Sequence, residues 1–383
     1  MTIGQRAAAI FIRHGGRARP GGLRGVALLA AALVLPLALA ACASIGPGSV
    51  PRDRLDYITA VAESWKEQTL LNIVRLRYGD APSFLDVSSV ISAYTFQGQV
   101  TAGGQLSSNL TNTIPRAFGN VGTGASYQDR PTISYTPLAG EKFARSLLTP
   151  LPPSEVFELI QAGYPADSVL LVTTRAINGI YNRSGIGARA READPEFYAL
   201  LQALQRLQMS GAVSIRLQKQ GQEQIGVLVL AGQRSAAVVE DLQTVQRLLK
   251  VRRDARGQLT VVFGVLPRGP HEIALLTRSM VEILLEVSAG IEVPPDHIAA
   301  GRTMASTRTP GAADPCDRPL IRIMAGPSLP KDSYAAVHYR NTWYWINDGD
   351  LASKRVFTFL MIFFSLAETG VTPQVPVLTV PAG

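Results

Sequence analysis

His271-Glu272 opens like the first half of a zinc-hydrolase helix. That motif needs a second histidine four residues on, so that two ligands share one helical face, and position 275 is Leu. Asn347-Asp348-Gly349-Asp350 resembles part of a calcium loop. With Gly349 in register, Ile346 takes the first ligand position, while Leu351 and Phe357 stand where the loop needs Gly and a bidentate Glu. A helix N-cap role for Asp350 accounts for the same residues. The chain has no GxSxG elbow, no GxxxxGK phosphate loop and no dinucleotide fingerprint. After residue 42 the histidines are His271, His297 and His338, widely spaced. A hydrolase built from such distant residues is the weakest functional reading. No catalytic residue, metal ligand or cofactor is assigned.

The aromatic group Tyr334, His338, Tyr339, Trp343, Tyr344 and Trp345 offers a different chemistry. With Arg340-Asn341 as a turn, His338, Trp343 and Trp345 fall on one face of a hairpin. Exposed, that face could stack on sugar rings or on a protein partner. Buried, it is core beneath an aromatic C-terminal helix, and this is the reading taken.

The remaining reactive group is a thiol. Sixteen uncharged residues, Val26 to Ala41, follow Arg24 and end at Cys42. Arg6, Arg13, Arg17, Arg19 and Arg24 precede the run without an acidic residue, as in a secretory signal. The run is short for a spanning helix, which needs about 20 residues. Leu39-Ala40-Ala41-Cys42 resembles a bacterial lipobox, which implies cleavage before Cys42 and lipidation of its thiol, with palmitate among the acyl chains. Two or more such chains hold a protein stably on a membrane. Ala43 in place of Asp points to the outer membrane, facing the periplasm.

Cleavage leaves 342 of the 383 residues, enough for one large or two modest domains. The whole chain carries +8, but the removed segment holds five Arg and no acid, so the remainder carries about +3. No basic stripe is left to support nucleic-acid binding. With Cys42 acylated, Cys316 in PGAADPCDRP is the remaining thiol, so no intrachain disulfide is expected.

Periodicity sets out the elements that must carry these residues. A signal peptide at 1–41 and a Gly/Pro tether at 42–54 precede a helix over 55–77 with Gly79 as its cap. From Tyr94 to Leu106 the even positions are mostly apolar and the odd ones polar, which is the period of a strand. A polar stretch and a weaker alternation through Val121, Ala125, Tyr127, Ile133 and Tyr135 complete a long β-hairpin. Its plain reading is a soluble hairpin packed on the rest of the chain. The sharper one is a strand pair given to an oligomer or a membrane-inserted barrel, since transmembrane strands need about 9–11 alternating residues. Gly98, Ala102 and Gly104 on the apolar face, and Asp129 and Arg130 in the second strand, count against the second.

This helix and hairpin region, 55–145, is followed by an α+β domain over 146–383. Its predicted helices cover 195–209, 235–250, 271–289 and 351–368, with Ser154 as a further N-cap. Its predicted strands cover 169–173, 212–217, 225–230, 259–265, 320–324, 335–339, 342–346 and 375–380, and 291–318 reads as a long loop. The fold class is α+β, a mixed or antiparallel sheet with packed helices.

Three segments, SWKEQTLLNIVRLRYGDAPSFLDVSSV (64–90), YTPLAGEKFARSLLTPLPPSEVFELIQAGYPADSV (135–169) and YRNTWYWINDGDLASKRVFTFL (339–360), carry a resemblance. They resemble a family of uncharacterised predicted lipoproteins of Gram-negative bacteria, which implies an envelope protein and no particular activity. The expectation is a lipid-anchored protein with a structural or assembly role, its partners being copies of itself or another envelope protein. The alternative is a module that binds envelope glycan or protein through the aromatic hairpin.

Overall fold

The computed structural model of the chain describes residues 50–91, 94–107, 116–129, 132–185, 191–220, 223–230, 235–252, 254, 258–312 and 318–368. Cys42 and the strand expected at 375–380 lie outside them. The fold is α+β, and the chain divides into two compact units. One holds Leu85–Thr136 with the chain up to Val61, and the other holds Ala62–Phe84 and Pro137–Gln374.

Helix α1 is Val50–Arg77. Its C-terminal half places Leu70, Ile73 and Val74 fully in the core. Arg75 and Arg77 occupy the last turn, where cations suit the helix dipole, and Gly79 at φ +74° ends it. Strands β1 (Leu85–Ile91) and β4 (Thr132–Pro137) pair with each other, as do β2 (Tyr94–Ser107) and β3 (Arg116–Asp129). The outgoing leg of the long hairpin therefore pairs with the returning leg in two successive two-stranded sheets.

The second unit is built on a six-stranded sheet of order β6-β5-β10-β9-β8-β7. Its strands are β5 (Thr174–Ile177), β6 (Ile180–Tyr181), β7 (Val213–Gln220), β8 (Glu223–Leu230), β9 (Gln258–Phe263) and β10 (Glu272–Thr277). Only β9 and β10 run parallel. The helices around it are α2 (Gly140–Phe143), α3 (Pro153–Gln161), α4 (Ala166–Thr173), α5 (Pro195–Met209), α6 (Ala236–Leu249), α7 (Met280–Ala289) and α8 (Pro295–Ala299). A three-stranded antiparallel sheet, β11 (Met324–Gly326), β12 (Ser333–Tyr339) and β13 (Thr342–Asn347), has β13 in the middle. Helix α9 (Leu351–Glu368) follows and buries Phe357, Leu360 and Phe363, as its all-round apolar run requires.

Several sequence expectations change. The run expected as a strand at 169–173 is the body of α4, which starts after Pro165 and buries Val169, Leu170 and Val172. A short apolar run fully enclosed in a core has no period to tell strand from helix. For the same reason the long helix expected from His271 is two elements. Glu272–Thr277 is a central strand with Ile273, Ala274 and Leu275 buried, and the helix begins only at Met280. Its start is marked by a capping box, Ser279 bonding the Glu282 amide and Glu282 bonding back to the Ser279 amide. Ser154 is not an N-cap: α3 begins at Pro153, with Pro152 in the cap position. The expected loop 291–318 contains α8 and two buried polar residues, His297 and Arg308.

Candidate functional site

The long hairpin is the first candidate. Strands β2 and β3 align over fourteen pairs, from Tyr94↔Asp129 to Ser107↔Arg116, with no register shift. Among the described residues neither strand has another strand neighbour. An open edge presents a row of unpaired amides and carbonyls that seek a further strand. The paired legs below it are equally uncovered. All six residues of β4 are exposed, Ile133 and Tyr135 among them, as is Leu85 on β1. In α1, Leu55 and Ile58 are 66% and 55% exposed.

The second candidate is the three-stranded sheet. Arg340 and Asn341 both take positive φ, the conformation of a two-residue hairpin turn. Register then sets Met324, Trp345 and Ala336 in one row and Gly326, Trp343 and His338 in the next, all on one face. The expectation that His338, Trp343 and Trp345 are core is corrected here. His338 is exposed and both tryptophans are half-buried. The opposite face carries Ala335, Val337, Tyr344 and Ile346 into the core. Period 2 leaves one face per strand for burial, and Tyr344 with Ile346 outcompetes the two indoles because of the contacts made beneath them. On the outer face the His338 and Trp343 rings lie 5.1 Å apart, and Gly326 lets the Trp345 ring lie against β11.

Beneath the same strand lies a polar relay. The Tyr78 hydroxyl is 2.5 Å from the Tyr344 hydroxyl and 2.6 Å from Nδ1 of His297. With Nδ1 unprotonated, Tyr78 donates to it and accepts from Tyr344, so each hydroxyl is satisfied. Burial pushes both phenols above the ordinary tyrosine range, and Tyr344 is raised further by its bond with Tyr78. At the rim Asp80 accepts from Tyr339 and from Arg340 at 2.9 Å, which holds its carboxyl below the usual value. These bonds clamp the C-terminal end of α1 onto the sheet. They join residues more than 200 positions apart, so no local pattern could have announced them.

A third group is wholly internal. Arg183, Arg278 and Arg308 surround Glu286 at 2.9, 4.0 and 3.7 Å, and all four are at most 4% exposed. Arg278 also donates to the carbonyls of Leu171, Val172 and Arg183, and Arg183 to that of Arg318. Arg308 also pairs with Glu192 at 3.1 Å, so carbonyl oxygens and a second carboxylate share with Glu286 the neutralisation of three cations. The group ties α7 to the chain on either side of β6, a structural task.

His271 is exposed and bonded to the Arg252 carbonyl, far in sequence and role from His297 and His338. Asp350 caps α9 through the Ser353 amide and hydroxyl, and Asn347 closes its turn on the Gly349 amide. No group of three or more potential metal-binding side chains occurs among the described residues, and no described helix is long and apolar enough to cross a membrane. An apolar cavity of about 290 Å³ lies between α3, α4 and α5, but the Gln208 amide on its wall is already bonded to Ile160, Tyr164 and Ala166. No family model, curated protein or solved structure matches the chain.

Proposed function

We propose that this protein is a lipid-anchored component of the cell envelope, held at the outer membrane by acyl chains on Cys42, with a structural or assembly role. The working element is the β1–β4 hairpin and the partners are copies of the same chain. One observation carries the reading: a fourteen-pair hairpin in which, among the described residues, neither strand has a further strand neighbour. A lone two-stranded ribbon is marginally stable in water, so its edges and faces call for cover. Identical hairpins meet that need edge to edge.

The test is the native mass of the detergent-extracted protein with and without residues 85–136. A uniform oligomer that becomes monomeric on deletion supports the reading, and a monomer in both cases ends it. Anchoring is checked separately by radiolabelled palmitate, whose incorporation should vanish in Cys42→Ser.

A second reading is favoured by the outward Trp343–His338–Trp345 face, which presents two indoles and an imidazole on a rigid sheet. It is suited to stacking on a sugar ring or an apolar protein surface. Peptidoglycan fragments that quench the tryptophan emission of the wild type, but not of Trp343→Ala, would support it. Unchanged emission would remove the glycan form of this reading.

A further inference from the structure

The register of β2 and β3 sorts the ribbon into two unlike faces. One face carries the pairs Phe96↔Tyr127, Val100↔Thr123 and Ala102↔Val121. The other carries Thr95↔Gln128, Gln97↔Ser126 and Gly103↔Asn120, and its one large apolar residue is Phe118 near the tip. Each strand alternates by itself, but only the register puts the apolar sets of both strands on the same side.

Charge is distributed as sharply. The twelve pairs from Thr95↔Gln128 to Leu106↔Ala117 contain no Asp, Glu, Lys or Arg. At the 17% charged content of the whole chain, twenty-four residues would carry about four. The charges stand at the two limits instead, Asp129 in the first pair and Arg116 in the last. The eight residues between the strands, 108–115, are also uncharged in sequence. Asp129, a count against membrane insertion from sequence, thus lies outside the uncharged span.

The length fits a bilayer. Twelve residues at about 3.4 Å cover about 41 Å of strand, and at the usual tilt of about 35–45° this rises about 29–34 Å. The hydrocarbon core is about 30 Å thick. A charge on the lipid side of that span is strongly disfavoured, which accounts for the absence of charge from its Phe96–Val100–Ala102 face.

We infer that the β2–β3 hairpin crosses a lipid bilayer, with its Phe96–Val100–Ala102 face against acyl chains and its Gln97–Thr101–Gln105 face lining an aqueous channel. Open strand edges cannot stand in lipid, so the hairpin crosses only as part of a ring closed by the hairpins of other copies. The inference rests on the assembly reading. It adds the chemistry of each surface: acyl chains outside, water and small polar solutes inside.

The experiment uses the full-length acylated protein with Cys316→Ser, reconstituted in phosphatidylethanolamine and phosphatidylglycerol vesicles. Single cysteines at Val100→Cys and Gln99→Cys, and in a second pair at Ala102→Cys and Thr101→Cys, carry an environment-sensitive fluorophore. Nitroxides on the lipid acyl chains act as quenchers, and the native mass is measured on the same samples. The expected result is an oligomer in which quenching at 100 and 102 is at least about fivefold that at 99 and 101. An oligomer without acyl-chain quenching at 100 and 102 overturns the crossing and leaves the assembly reading standing. A monomer without quenching overturns both. A monomer with quenching overturns the closed ring.

Discussion

The two hairpins use one principle, period-2 alternation, and meet different fates. In β12–β13 one face, with Tyr344 and Ile346, is fully buried, and the other carries Trp343 and Trp345 half-buried. In the β1–β4 ribbon Ile133, Tyr135 and Leu85 stand exposed. The short hairpin has α9 and the Tyr78–His297 relay beneath it, while the long one has only itself for strand partners among the described residues. Alternation specifies a two-faced ribbon. What covers each face is supplied by the rest of the molecule or by another one.

Breaking the covered face should cost most. Tyr344→Ala removes a buried ring and the hydroxyl that donates to Tyr78, and unfolding in urea should show a loss of about 4 kcal/mol. Next comes the foundation of the same unit. Glu286→Gln removes the carboxylate that the three buried guanidiniums share, leaving Arg308 its bond to Glu192, and the same measurement should register roughly 3 kcal/mol. A loss under about 1 kcal/mol would mean that the carbonyls and Glu192 suffice to neutralise them.

The alkaline limb of stability sharpens the contrast. Tyr78 and Tyr344 are held protonated in the fold, so their contribution is complete below about pH 10, where unfolded tyrosine ionises. It is lost as pH rises toward the raised folded values, by up to about 1.4 kcal/mol per pH unit for each phenol. Tyr78→Phe with Tyr344→Phe should flatten that slope in a pH series of urea titrations. An unchanged slope would show that other groups set it.

Trp343→Ala on the open face should cost less than about 1 kcal/mol, a cross-strand pair term. The smallest effect is expected from deleting residues 85–136. The thermal transition of the second unit should stay where it is, because residues 85–136 belong to the other compact unit. A large fall would make the ribbon part of the second unit's core and erase the comparison.

Much of this was legible in the sequence where an element carried its own punctuation. Asp194-Pro195 and Gly211 bracket α5, and Ser235 caps α6 through the Val238 amide. Errors fell where burial on all sides erased the period, at Val169–Thr173 and Glu272–Thr277. There the one readable mark was the Ser279–Glu282 capping box. The aromatic face was named in full, His338, Trp343 and Trp345 together, but assigned to the wrong side. The sequence of a strand says which residues share a face and not which face has a neighbour.

By itself, then, the sequence determined the local periods: the α+β class, the two hairpins, the shared face of the aromatics and the lipobox-like end at Cys42. These depend on neighbours a few residues away, where backbone geometry leaves little choice. Tertiary structure decided the rest. It chose Tyr344 over the tryptophans for burial, brought Tyr78, His297 and Tyr344 into one relay, gathered three arginines on Glu286, and aligned β2 with β3 so that their apolar positions coincide. Each of those depends on contacts between distant segments, whose free energy is set by what is excluded from water and not by any local pattern.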